Sequence, residues 1–208
     1  MDRRELLRGA VAATAAGVLL SSARANAAPT AGAASAPEPA PAPAPLAVDH
    51  PGATWQPASP SNYTASNRPS AYRIDRVVIH VAQETFADTV RIFQDPARKV
   101  SAHYVVGSAD GRIAQCVRER DIGWHAGNWN HNTRSIGIEH EGWVDRPEYF
   151  THVMYERSAA LTAAICDRHG IPKDRAHIIG HHEVPGSTHT DPGPLWDWVR
   201  YIRLVNFA

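Results

Sequence analysis

Three residues far apart in a chain of 208 have the types and settings of a metal-dependent hydrolase. His80 follows the apolar run Val77-Val78-Ile79, while His181 and Asp191 sit in Gly180-His181-His182-Glu183 and His189-Thr190-Asp191-Pro192-Gly193-Pro194. The glycines and prolines there forbid regular structure and let the loop fold back, so that His181 and Asp191, ten positions apart, can meet. If the His80 ring points out of its sheet toward them, two imidazoles and one carboxylate can hold Zn2+ with a fourth position left open, which is the arrangement of a catalytic zinc. Such a hydrolase also needs a base. In Ser135-Ile136-Gly137-Ile138-Glu139, alternation puts Ile136 and Ile138 on one face and Ser135, Gly137 and Glu139 on the other. A carboxylate beside a residue as small as glycine lines a space, which makes Glu139 the candidate base. Plainer readings stand beside these. His80 also reads as a satisfied core histidine, Asp191 as a helix cap ahead of Pro192, His181 and His182 as solvated loop residues, and Glu139 with Glu141 as a solvated strand face.

The elements that would position these groups follow from periodicity. Residues 77–81 read as a central strand covered on both faces, 85–94 as a helix, and 103–107 with 112–117 as a hairpin turning at Asp110-Gly111. Residues 135–141 alternate as a strand, and 151–168 form a helix with Met154, Ser158, Leu161 and Ile165 on one face and Gly170 as its stop. A last helix is expected over 194–205, with Leu195, Trp198, Val199 and Ile202 inward. The fold class is α/β, a sheet flanked by helices over residues 60–208, with no internal repeat.

Composition narrows the function. Lys plus Arg and Asp plus Glu number 21 each, and no basic block follows the N-terminus, which argues against nucleic acid as a partner. No apolar run reaches the ~20 residues of a spanning helix, so no integral membrane segment is expected after leader removal. Two cysteines exclude four-cysteine zinc sites, and twelve histidines direct any metal chemistry to imidazole and carboxylate. Cys116 and Cys166 read as buried thiols without a bridge, the alternative being a pair across the core. Residues 1–27 read as an export signal of twin-arginine type, with Arg3-Arg4, an apolar small-residue run and Ala25-Asn26-Ala27 as cleavage site. Its loss removes Arg3, Arg4, Arg8 and Arg24 against Asp2 and Glu5, leaving a nearly neutral chain. Residues 28–59, rich in Ala and Pro, read as a disordered spacer.

Taken in order, His80 after Val-Val-Ile, Val100-Ser101-Ala102-His103-Tyr104 with Asp110-Gly111, Trp124-His125-Ala126-Gly127, Arg134-Ser135-Ile136-Gly137-Ile138-Glu139, and Gly180-His181 with Thr190-Asp191-Pro192-Gly193 resemble the type 2 N-acetylmuramoyl-L-alanine amidases, the zinc amidase relatives of peptidoglycan recognition proteins. The resemblance runs from about Arg76 to Trp198. It implies the amidase fold, zinc held by His80, His181 and Asp191, and Glu139 assisting the water that attacks the amide between N-acetylmuramic acid and L-alanine. His189 stands where relatives often have Lys and is expected to steady the oxyanion. Ala102 stands where some have a catalytic Tyr, which leaves proton transfer to Glu139. Trp124, His125 and Asn128 are expected along the groove, with Tyr104 and Trp143 as packing residues. The implied partner is peptidoglycan or muropeptides, met outside the cytoplasm in association with the cell wall by a monomer. A silent peptidoglycan-binding domain is the alternative in another class, and an unrelated zinc esterase or phosphodiesterase a third.

Overall fold

A computed structural model describes residues 48–208. The expected export signal at 1–27 and most of the expected spacer at 28–59 lie outside the described residues. Six strands form one mixed sheet in the order β1 (Ala53–Trp55), β5 (Ile113–Gln115), β4 (Tyr104–Val106), β7 (Ser135–His140), β3 (Arg76–Val81), β8 (Ile178–Gly180). All neighbours run parallel except β4 and β5, which are antiparallel as the Asp110-Gly111 turn implies. A two-stranded ribbon, β2 (Tyr63–Thr64) with β6 (Ile122–Gly123), stands apart.

Four helices accompany the sheet: α1 (Phe86–Gln94), α2 (Trp129–Arg134), α3 (His152–His169) and α4 (Trp198–Phe207). Thr85 and Thr151 begin α1 and α3 by accepting the backbone N–H three residues on, which satisfies donors that a helix start leaves open. Gly170 ends α3 at φ 65°, where a side chain would be strained.

Alternation along β3 and β7 sorts the two faces. Val77, Ile79, Val81, Ile136 and Ile138 enter the main core with Met154, Leu161 and Ile165 of α3 and Tyr201 and Val205 of α4. Each such aliphatic side chain contributes about 1.5–3 kcal/mol by leaving water. On the opposite face, Phe86, Val90 and Phe93 of α1 cover Val105 and Ala114. His80 and Glu139 face that same side, beyond the end of the apolar cover.

Two expectations need correction. Residues 53–55, read as spacer, form edge strand β1, and Asp49 before it accepts the Glu119 N–H at 2.9 Å. The Arg118 guanidinium lies 4.0 Å from the Trp55 ring centroid. Partners supplied by β5 and its flank thus order a segment whose Ala/Pro composition upstream suggested none. The last helix begins at Trp198 rather than 194, because Asp197 caps it by accepting the Arg200 N–H at 2.9 Å. Its inward residues are Tyr201 and Val205, with Trp198 and Ile202 partly covered, whereas Leu195 is 41% and Val199 85% exposed. The Tyr201 hydroxyl, bonded to Ser158 and Thr162 at 2.8 and 2.7 Å, holds that register. Cys116 and Cys166 are free, buried thiols.

Candidate active site

The parallel register of β3 and β7 sets His80 beside Glu139 and Val78 beside Gly137. On the other side of β3, Ile79 pairs with Gly180, so the next residue, His181, arrives next to His80 with ring centroids 4.5 Å apart. The chain then returns through 184–190 and delivers Asp191, whose carbonyl accepts the His182 N–H at 3.0 Å. This close return needs Gly180, since a Cβ there would come within 2.7 Å of Pro192 Cδ and His182 Cε1. Asp191 bridges the two imidazoles, with Oδ2 at 3.2 Å from His80 Nδ1 and Oδ1 at 3.2 Å from His181 Nδ1. One ligand atom from each of these buried residues lies within 4.8 Å of the other two, a grouping that can hold a metal ion. Glu139 Oε1 stands 4.0 Å from His80 Nδ1.

Two buried polar atoms here have no protein partner: His181 Nε2 and Glu139 Oε2. Such groups are costly unless something outside the chain satisfies them, and the donor set of two imidazoles and a carboxylate fits a divalent cation. Burial, and then the charge of Asp191, push the Glu139 carboxyl well above the usual carboxylate range. Burial would raise Asp191 too, but hydrogen bonds from His181 and His80 outweigh it and hold that carboxyl below its ordinary range. Burial lowers His80, against the pull of Asp191, and lowers His125 further. The residues open into a cavity of about 510 Å3 with Trp124 and Lys99 on its walls.

With this geometry in place, relatives can be compared. Residues 70–194 match the family described as N-acetylmuramoyl-L-alanine amidase. The chain is 38% identical to N-acetylmuramoyl-L-alanine amidase A of Achromobacter lyticus over 77% of this chain and 97% of that protein. It belongs to this amidase family. The chain is also 38% identical to the 1,6-anhydro-N-acetylmuramyl-L-alanine amidase AmpD of Escherichia coli (strain K12), over 52% of this chain and 60% of AmpD. In structure it superimposes on an AmpD crystal structure with TM-score 0.62 at 27% identity, covering 77% of this chain and 99% of that one. The amidase AmiD from E. coli, solved with anhydro-N-acetylmuramic acid-L-Ala-D-gamma-Glu-L-Lys, gives TM-score 0.55 at 28% identity over 64% of this chain and 57% of AmiD.

In this amidase-family chain the other expected residues take different places. His189 is exposed and stacks on His181, with ring centroids 4.2 Å apart and Nδ1 3.8 Å from Asp191 Oδ1. Trp124 is a half-buried wall whose Nε1 donates to Thr64 Oγ1 at 3.0 Å. His125 touches the cavity but is 6% exposed, with its ring against His80. Asn128, expected on the groove, instead caps α2, accepting the His131 N–H at 3.2 Å and donating to the Pro185 carbonyl at 3.1 Å. Asn132, on the cavity wall, accepts the N–H groups of His125 and Ala126 at 3.2 and 2.8 Å. Tyr104 is a fully buried packing residue, and Trp143 packs edge-on against Tyr149. Ala102 is fully buried beneath α1.

Three contributors carry no clear mark in the sequence. Gln83 and Lys99 line the cavity with φ of 57° and 55°, conformations unfavourable for residues other than glycine. Arg68 is buried, and its guanidinium donates to the carbonyls of Asn132, Thr133 and Ser135 at 3.2, 3.1 and 2.9 Å, closing the end of α2. These depend on contacts 64 to 67 positions away or on backbone angles, neither of which leaves a local pattern.

Proposed function

We propose that this chain hydrolyses the amide between the lactyl group of N-acetylmuramic acid and L-alanine in peptidoglycan or its fragments, with zinc as its metal. The observation that carries this is the complete set His80, His181 and Asp191 with Glu139 beside it, at the mouth of one cavity. A recognition domain that only binds wall polymer has no need of buried, unpartnered atoms at His181 Nε2 and Glu139 Oε2. Family membership and the substrate named for the bound AmiD complex support the same reading.

His80, His181 and Asp191 would hold the zinc, which supplies Lewis acidity toward a carbonyl and toward water. Glu139 takes the proton of the attacking water through its carboxylate and hands it to the departing amine of L-alanine. Its buried setting, which favours the protonated form, suits the second transfer. His189, poised over His181 at the cavity mouth, donates to the oxyanion of the tetrahedral intermediate. Trp124 and Lys99 flank the bound stem. The sequence of residues 1–27, read as an export signal, would bring the domain to the wall.

Mass spectrometry of purified peptidoglycan incubated with the protein, with and without a chelator, tests the reading. Release of peptides beginning with L-alanine, abolished by the chelator and restored by zinc, is expected. Polymer binding without release would leave the binding-only domain, and release that the chelator does not touch would remove the metal.

A further inference from the structure

His125 lies against His80, and the proton positions between them can be worked out from one backbone atom. The Ser135 hydroxyl donates to the carbonyl of His131 at the end of α2, one of the carbonyls that a helix terminus leaves without an internal partner. A carbonyl only accepts, so the single Ser135 proton is committed there. The Ser135 Oγ also lies 3.2 Å from His125 Nε2 and can therefore only accept from it. His125 must then carry its proton on Nε2 and present a lone pair at Nδ1. That lone pair meets His80 Nε2 at 3.0 Å, so His80 donates there and carries its own proton on Nε2. The remaining nitrogen of His80, Nδ1, faces Asp191 Oδ2 at 3.2 Å and Glu139 Oε1 at 4.0 Å, where it can donate to Asp191 or give its lone pair to a cation.

We propose that His125 and Ser135 are positioning residues that fix the tautomer and orientation of His80, so that its Nδ1 is offered to the metal. The chain His80, His125, Ser135, His131 carbonyl is a hydrogen-bonded series with one direction, set by the end of α2. The order at Ser135, His125 and His80 Nε2 does not need a metal; the free lone pair at His80 Nδ1 rests on the metal reading above, which supplies the cation facing Asp191.

Room for the series is built into β7. A Cβ at Gly137 would lie 2.5 Å from His125 Cγ, so only glycine lets the ring lie flat on the strand next to His80. The His80 backbone is held as well, because the ring of His140 on the opposite face donates from Nδ1 to the His80 carbonyl at 2.7 Å. Metal-bound histidines in general have the second nitrogen held in this way, and loss of such a partner costs ~10–100-fold in metal affinity.

The experiment uses the full chain and zinc alone as the probe. Chelator competition should give a zinc Kd weakened by ~10–100-fold in His125→Leu, with much of it recovered in His125→Asn, whose Oδ1 stands near the position of Nδ1 and can accept from His80. Ser135→Ala keeps the ring but frees its tautomer, and should weaken zinc by a smaller factor; it carries the test if His125→Leu does not fold. Nitrogen-detected NMR of the parent should find the His125 proton on Nε2 with and without zinc. A zinc Kd unchanged in the folded variants, or a His125 proton on Nδ1, overturns the proposal. A parent that binds no zinc would instead remove the metal reading, while the His125 proton position still decides the proton order.

Discussion

Two glutamates on opposite faces of the sheet show how partners decide what a carboxylate does. Glu119 accepts from the Tyr104 hydroxyl and the rings and guanidinium of His169 and Arg168 at 2.6, 2.7 and 2.5 Å. Burial raises its pKa, but these bonds outweigh burial and hold it at about 2. Glu139 is half-buried, yet one of its oxygens is buried without a partner and the charge of Asp191 adds to desolvation, so its carboxyl is pushed well up. The same side chain is a structural anion in one place and the proposed proton carrier in the other. The histidines divide in the same way: His140 has both nitrogens satisfied, by the His80 carbonyl and Ser158 Oγ at 2.7 and 2.6 Å, whereas His181 keeps one nitrogen open. In these pairs the saturated groups hold the fold together, and the open atoms of Glu139 and His181 lie at the candidate site.

The sharpest way to break the comparison is to remove each charge in turn. Glu139→Gln should lower turnover by ~10²-fold or more with zinc content and polymer binding unchanged, and without loss of thermal stability, because the amide fills the same space with no proton to carry. Near-native turnover would take Glu139 out of the mechanism. Glu119→Gln should do the reverse, keeping turnover per folded molecule but costing stability at neutral pH.

The acid limb sharpens the same contrast. A carboxyl held at about 2, against an ordinary value of 4.5, gives stability that is fully present above about pH 5 and is lost as pH falls through 4.5 toward 2. The full effect is on the order of 3 kcal/mol, reduced by whatever rearrangement relieves it. Urea midpoints between pH 2 and 7 should fall on acidification in the parent and much less in Glu119→Gln; parallel curves would show that Glu119 is not the group responsible.

A smaller change probes the satisfied side near the site. Ser158→Ala removes the hydroxyl that joins His140 Nε2 to the Tyr201 hydroxyl, and should cost about 1–2 kcal/mol in chemical unfolding while leaving zinc affinity within a few-fold. A large fall in zinc affinity would mean that the two faces are not separable. The smallest effect is expected at Val199, which stands in solvent: Val199→Ser should shift stability by less than about 0.5 kcal/mol, and a larger loss would return Val199 to the inward face of α4.

The chain by itself determined much of this. The β-branched run at residues 77–81, the alternation at 135–139 and the helix caps are local patterns, set by side-chain direction and by the backbone donors nearest to them, and they appear in the fold within one or two residues. The types of His80, Glu139, His181 and Asp191 pointed toward metal-dependent hydrolysis but left the plainer readings open, and the ordered blocks that resemble the amidases narrowed them. What no local pattern holds is which long-range partner each residue meets. Asn128 and His125 sit three positions apart, yet the first caps a helix and the second lies against His80, because the turn into α2 sends one to Pro185 and lays the other over Gly137. Asp197 rather than Pro194 began the last helix because Tyr201 had hydroxyl partners on α3, 39 and 43 positions away. Charge state was decided there too: Glu119 and Glu139 differ only in the neighbours that the fold brings to them, and electrostatic interaction depends on distance in space, not on distance along the chain.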